Sequence, residues 1–168
     1  MTKKSNIRHM DVRIGYGYDV HRLEMGEELW IGGIQVPSEF GAVGHSDADV
    51  VLHVICDALF GALALGDLGK YFPDTDSAFK GIDSKRLLTH TWKLVREKGY
   101  EVGNIDTTVC LQAPKLAPHI DSMRAVIADI LDCEIDRVSV KATTTENLGF
   151  VGTGEGISAH AVALLKKA

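Results

Sequence analysis

Asp19, His21 and His53 are the residues of this chain whose types and spacing carry the most chemistry. Asp19 and His21 stand two apart at the end of a glycine-rich segment, and residues i and i+2 of an extended strand project from the same face. His53 lies on the helical stretch opened by His45-Ser46-Asp47, from which it can meet the other two. Zinc takes imidazole nitrogen and carboxylate oxygen, and three protein ligands leave one tetrahedral position for substrate, the pattern of catalytic rather than structural sites. The spacing alone also fits a metal-free reading, in which the acid fixes a histidine tautomer or a turn.

The residues around the trio favour the first reading. His45-Ser46-Asp47-Ala48-Asp49 has the form of a capping box, with Ser46 as cap and Asp49 reaching back. Such a helix start also presents N–H groups and a positive dipole end to an anion. His45, just outside it, is placed to donate to a phosphate oxygen. Asp49, His53 and Asp57 follow at i,i+4 spacing and share a helix face. One of these acids is expected to orient the His53 ring, since metal-bound imidazoles usually donate their second N–H to a carboxylate or carbonyl. Asp57 is the expected partner, because Asp49 has the capping role.

The elements that must position these groups follow from periodicity and turn residues. Residues 13–18 alternate as a strand, and Leu29-Trp30-Ile31 with Ile34-Gln35-Val36 flank Gly32-Gly33 as a hairpin. Over residues 48–65 Val51, Ile55, Ala58, Leu59, Ala62 and Leu63 recur at helical spacing, with Gly66 as the stop. A second helix spans 84–98, capped by Asp83 and ended by Gly99. Strands are predicted over 100–113, 137–143 and 156–165, with a third helix from Pro118 or His119 to about Leu131. This order predicts an α/β two-layer sandwich, a mixed four-stranded sheet plus a small hairpin, with helices on one face. The strands 100–113 and 156–165 carry apolar residues at odd and even positions, which predicts burial of both sheet faces and self-association over the uncovered one.

Composition narrows the classes. A chain of 168 residues suffices for one domain with a real core, expected over 12–168 after a polar, disordered leader at 1–11. With 18 Lys+Arg against 23 Asp+Glu, and no basic run beyond Lys3-Lys4 and Lys166-Lys167, nucleic acid is not the expected partner. Cys56, Cys110 and Cys133 show no C-x-x-C spacing, which argues against a disulfide framework or a cysteine zinc site and fits a cytoplasmic location. No apolar run reaches membrane-spanning length.

Five strings in order, D-V-H at Asp19, H-S-D-A-D-V-V-L-H at His45, A-L-G-D-L-G-K-Y-F-P-D-T-D ending at Asp76, Q-A-P-K at Gln112 and V-K-A-T-T-T-E-N-L-G-F ending at Phe150, together resemble the 2-C-methyl-D-erythritol 2,4-cyclodiphosphate synthase family. Singly, each has a plainer reading: Pro and Asp favour turns, and threonines are ordinary strand formers. The resemblance runs from about Arg13 to the C-terminus. It implies a homotrimer with active sites between subunits, in which 4-diphosphocytidyl-2-C-methyl-D-erythritol 2-phosphate cyclises and releases CMP.

Carried over by residue, the resemblance implies zinc on Asp19, His21 and His53, with Val20 beside them and a substrate β-phosphate oxygen in fourth place. His45 and Ser46 would hold the methylerythritol phosphate end. Asp67, Leu68, Gly69, Phe72, Pro73, Asp74, Thr75 and Asp76 would contact the sugar alcohol, and Leu111, Gln112, Ala113, Pro114, Lys115, Leu116 and Ala117 the cytosine. Thr143, Thr144 and Thr145 would meet the diphosphate, and Glu146 a second cation, magnesium or manganese. His45 and Thr144 would stabilise the transition state. The nucleophile implied is a phosphate monoester, largely ionised at neutral pH with a second pKa near 6, so no serine, cysteine or general base is required. Electrostatics set the difficulty, because an anion must approach an anionic diphosphate, and two metals answer it.

One position departs from the pattern. Many family members carry arginine where this chain has Thr153, lining a cavity on the threefold axis, so binding of an isoprenoid diphosphate there should be weaker, with Phe150 left for apolar contact. Fusion to a cytidylyltransferase domain, found in some members, is not expected at this length. Two other classes use the same residues: a zinc hydrolase of nucleoside diphosphates with water as nucleophile, and a trimeric metal-storage or ligand-binding protein.

Overall fold

The computed structural model describes residues 11–73 and 81–168. The elements in chain order are β1 (Val12–Met25), β2 (Leu29–Ile31), β3 (Ile34–Val36), β4 (Phe40–Val43), α1 (Val50–Ala62), α2 (Leu68–Tyr71) and α3 (Ser84–Glu97). They continue with β5 (Tyr100–Cys110), α4 (Ile120–Ile130), β6 (Val138–Thr143), α5 (Gly149–Gly152) and β7 (Gly156–Lys167), with 3-10 turns at Ala117–His119 and Ile135–Arg137. The leader predicted over 1–11 lies outside the described residues except for Asp11.

The main sheet has five strands in the order β4-β1-β7-β5-β6, and β2-β3 form the separate hairpin. The four-stranded expectation is therefore corrected. The added strand, β4, pairs antiparallel with the far end of β1 from Arg22↔Val43 to Met25↔Phe40. The four residues Phe40–Val43 are too few to show alternation, and only the partner strand gives them a ladder. Pairing with β7 as far as Arg22, and with β4 from there to Met25, carries β1 past Tyr18, so the D-V-H triplet sits within the strand rather than at its end. β5 and β6 are parallel, and α4 supplies the crossover between them.

Helices cover one face only. Helix α1 is apolar nearly all round, as a helix enclosed on every side must be, with Val51, Leu52, Val54, Ile55, Leu59 and Phe60 fully buried. It lies on β1 over Gly15 and Gly17, where an added Cβ would overlap the carbonyl oxygens of Ala58 and Val54. On the opposite face Ile14, Tyr16, Tyr18, Val20 and Val162 are exposed in the single chain. Burial of both faces, expected from β5 and β7, is thus not met within one chain: alternate residues of β7 such as Ile157, Ala159, Ala161 and Ala163 are buried, while Val162 is open.

The start of α1 also departs from expectation. Asp49, not Ser46, is the N-cap, its carboxylate accepting from Val51 N at 3.1 Å and Leu52 N at 3.0 Å. The same carboxylate accepts from Gly32 N at 2.8 Å and Gly33 N at 2.6 Å, in the hairpin turn where both glycines have positive φ. Burial, with the nearby Asp47 charge, pushes the Asp49 carboxyl up, against the opposing pull of the Gly33, Leu52 and Gly32 N–H donors. One buried acid thus ties the β2-β3 hairpin to the helix that bears His53.

Candidate active site and metal centre

Because Gly15, Gly17, Asp19 and His21 share one parity on β1, the glycines that admit α1 belong to the same strand face as the two candidate ligands. The close approach sets His53, one residue before Val54, directly over them. Asp19 Oδ2 lies 2.9 Å from His21 Nε2 and 2.9 Å from His53 Nδ1, and the two ring nitrogens are 3.1 Å apart. Two imidazole nitrogens and a carboxylate oxygen converging on one point fit a cation better than a proton, since a proton can satisfy only one pair. Ligand distances of 2.0–2.1 Å around tetrahedral zinc imply ligand-to-ligand edges of about 3.3 Å, close to the triangle found. Among the described residues this is the one such group.

Burial favours the neutral acid, but the hydrogen bonds and charges of His21 and His53 hold the Asp19 carboxyl well below the usual carboxylate range. Burial lowers His53, yet the Asp19 hydrogen bond and the Asp19, Asp49 and Asp47 carboxylates outweigh it and raise the ring above its usual 6.5. Without metal, the Asp19 contribution to stability is present above 3.8 and lost as pH falls through its lowered value. The His53 contribution is present below 6.5 and lost as pH rises through its raised value. Metal binding requires the neutral ring, so proton and metal compete at His53 while Asp19 stays ionised. Zinc affinity should therefore rise with pH through the interval that begins near the usual 6.5 of the ring and extends to its raised value. Chelator-competition titrations across that interval check this, and a flat profile would count against His53 as a ligand.

The expected orienting role of Asp57 is not found. Its Oδ1 accepts from Leu68 N at 2.7 Å, holding the start of α2, while His53 Nε2 faces Ser84 Oγ at 2.9 Å and Ser46 Oγ at 3.1 Å. Periodicity on one helix cannot reveal this, because the partners arrive from the 45–47 segment and from α3. Ser84 is indistinguishable in sequence from an ordinary first-turn residue after the Asp83 cap.

The remaining predicted residues fall into two groups. His45, Ser46, Leu68 and Phe72 line a cavity of about 140 Å³ together with His21 and His53. Asp67 caps α2, accepting from Lys70 N at 3.0 Å, with Gly69 on that short helix. Asp74, Thr75 and Asp76 lie outside the described residues. A second cavity of about 250 Å³ is lined by Leu111, Gln112, Pro114, Lys115, Leu116, Ala117, Thr143 and Thr144. Gln112 Nε2 donates to Asn147 Oδ1 at 3.2 Å, and its buried Oε1 has no partner among the described residues. Thr144 Oγ1 donates to Glu146 Oε1 at 3.2 Å, whereas the Thr145 hydroxyl is taken by Leu148 O at 2.6 Å. The Thr153 hydroxyl likewise turns to the carbonyls of Gly149 and Phe150, and Phe150 is exposed.

The two groups sit at one end of the sheet but not together. Val20 pairs with Ser158, Ser158 with Cys110 and Cys110 with Thr143. Three strand spacings separate the trio from the second cavity, about 14 Å within one chain.

A mixed α/β sheet with an Asp/His/His group that could hold a metal at one end, and a pocket at the strand ends beside it, defines the class as an α/β fold with a candidate metal site. Within that class the chain belongs to the YgbB family, whose model matches residues 12–166. It is 62% identical over 157 residues to the 2-C-methyl-D-erythritol 2,4-cyclodiphosphate synthase of Ectopseudomonas mendocina, covering 94% of this chain and 100% of that one. A 2C-methyl-D-erythritol-2,4-cyclodiphosphate synthase structure in its CDP-bound form superposes with a TM-score of 0.84 at 37% identity, over 91% of this chain and 99% of that one. The bifunctional IspDF of Campylobacter jejuni gives 0.91 at 42% identity, over 95% of this chain but 43% of the longer bifunctional chain.

Proposed function

We propose that this chain cyclises 4-diphosphocytidyl-2-C-methyl-D-erythritol 2-phosphate to 2-C-methyl-D-erythritol 2,4-cyclodiphosphate with release of CMP. The observation that carries this reading is the Asp19-His21-His53 triangle, in a chain 62% identical along nearly its whole length to a synthase of that product. The 2-phosphate attacks the β-phosphorus, the new P–O bond closes the ring, and the bond to the α-phosphate breaks to free CMP. When bound, zinc on the trio and magnesium or manganese at Glu146 supply Lewis acidity and screen the diphosphate charge.

The chain's own residues do the rest. His45 and Ser46 hold the 2-phosphate end beside the trio, and Thr144 donates to the diphosphate. The backbone of 111–117 encloses the cytosine. Fixing both ends of one flexible molecule supplies a proximity gain that can reach roughly 7–11 kcal/mol for aligned groups. The Cys56 thiol does not compete as a nucleophile: burial pushes it up to about 12, so it stays protonated.

The separation of the two half-sites and the exposed apolar face of Ile14, Tyr16, Tyr18 and Val20 both support a homotrimer in which one subunit's trio meets the next subunit's cytosine pocket. No helix among the described residues is long and apolar enough to cross a membrane, and a cytoplasmic location is part of this proposal.

Phosphorus NMR of the purified chain with the cytidyl substrate and magnesium tests the reaction. A cyclic diphosphate with CMP is expected; two open phosphates would identify a hydrolase, and unchanged substrate a binding protein. For the second cation, Glu146→Gln should raise the magnesium concentration for half-maximal rate roughly tenfold, since removing a charged oxygen ligand weakens a hard-cation site. An unchanged magnesium titration would remove Glu146 from that role.

A further inference from the structure

Behind His53 stand two residues that the reaction as described does not use, a buried serine and a half-buried aspartate. Ser84, at the first turn of α3, is fully buried, and its Oγ lies 2.9 Å from His53 Nε2. Both Asp47 carboxylate oxygens engage this serine: Oδ1 accepts from the Ser84 hydroxyl at 2.5 Å, and Oδ2 from the Ser84 backbone N–H at 2.9 Å. The two segments are further joined by Gly81 N donating to His45 O at 2.7 Å and Asp47 N to Ile82 O at 3.2 Å.

The proton count along this chain of groups is restrictive. An ionised carboxylate has only acceptor sites and a serine hydroxyl has one proton. That proton is committed to Asp47, so Ser84 Oγ faces the ring with lone pairs and must accept. The proton between Ser84 and His53 therefore belongs to Nε2. A neutral imidazole has one N–H, which leaves Nδ1 bare, and Nδ1 is the atom that faces Asp19 Oδ2 and His21 Nε2. Ser46 Oγ, 3.1 Å from the same Nε2, already accepts from Ala48 N at 3.1 Å and lies slightly farther away than Ser84.

We infer that Asp47 and Ser84 are positioning residues of the metal centre: Asp47 orients the Ser84 hydroxyl, and Ser84 accepts the His53 Nε2–H, which fixes the tautomer that offers Nδ1 to a cation. Metal-bound histidines commonly donate directly to a carboxylate. Here a serine stands between, and the carboxylate acts through it. The inference rests on metal binding by the trio. The arrangement also joins the metal centre to the 45–47 segment that carries His45 and Ser46, so one network aligns a ligand ring and the two residues assigned to the substrate phosphate.

Zinc affinity, measured by chelator competition, and the ring ¹⁵N spectrum of His53 in the zinc-loaded protein test this without recourse to turnover. Ser84→Ala and Asp47→Ala should each weaken zinc binding about 10- to 100-fold, the range seen when an outer hydrogen-bond partner of a ligand histidine is lost. Ser84→Thr, which keeps the hydroxyl, should bind as the parent does. In the parent spectrum the proton should reside on Nε2 and the metal on Nδ1. Parental affinity in both alanine variants, or metal on Nε2 in the parent, would overturn the inference while leaving the metal site standing. Equal zinc affinity in the parent and in His53→Ala would overturn both. Should Ser84→Ala fail to fold, as a thermal melt would reveal, the parent ring spectrum still decides.

Discussion

His53→Ala is expected to lower CMP release by a factor of about a thousand or more while the chain remains folded. Lewis-acid stabilisation of a phosphoryl transition state is worth several kcal/mol, and about 4 kcal/mol corresponds to a thousandfold at 1.36 kcal/mol per decade. The variant removes the candidate ligand that α1 contributes, leaving Asp19 and His21 on one strand without the third atom of the triangle. It also leaves the N-cap of α1 at Asp49 untouched, so the helix start survives. Asp19→Asn should be milder, because the amide keeps an oxygen at the same place without the charge. The measurement is CMP release alongside circular dichroism, with zinc content determined on the same samples. Full activity of a chelator-treated His53→Ala protein would sink the zinc assignment.

Gly17→Ala should destabilise the fold by about 3 kcal/mol or more, at or beyond the upper part of the range for overpacking. Its Cβ would fall on the Val54 carbonyl, and a second methyl at Gly15 would meet Ala58 O and Ala62 N. These obstacles are backbone atoms of a buried helix, which cannot rotate aside as a side chain would. Relief requires α1 to lift from β1, and α1 carries His53 away from the strand that bears Asp19 and His21. A lower urea midpoint should therefore come with weaker zinc binding, two effects from one methyl group placed on neither ligand. An unchanged midpoint would mean that the helix stands farther from the strand than the contacts indicate.

The trio was legible because each of its parts obeys a local period. Asp19 and His21 share a face by the two-residue repeat of a strand, and His53 lies in a run whose apolar spacing marks a helix. The hairpin around Gly32-Gly33 and the Asp83 cap of α3 were legible for the same reason. β4 was not, because four residues acquire strand identity only from pairing with β1. Ser46 read as a cap and Asp57 as the partner of His53, since both inferences extend a local repeat and neither can see what packs against it. Tertiary contacts gave the cap to Asp49, which serves hairpin and helix at once, and gave Asp57 to the Leu68 N–H.

The sequence by itself determined which atoms are available for chemistry and, through the alternation of Gly15, Gly17, Asp19 and His21, which side of β1 they occupy. Only the tertiary structure decided which nitrogen of His53 meets the other ligands and which groups hold the opposite one. Ligand type and strand parity are properties of residues near one another in the chain. The tautomer of a ring depends on hydrogen-bond partners, and for His53 Nε2 the nearer of its two, Ser84, lies 31 positions away, brought there by the packing of α3 against α1.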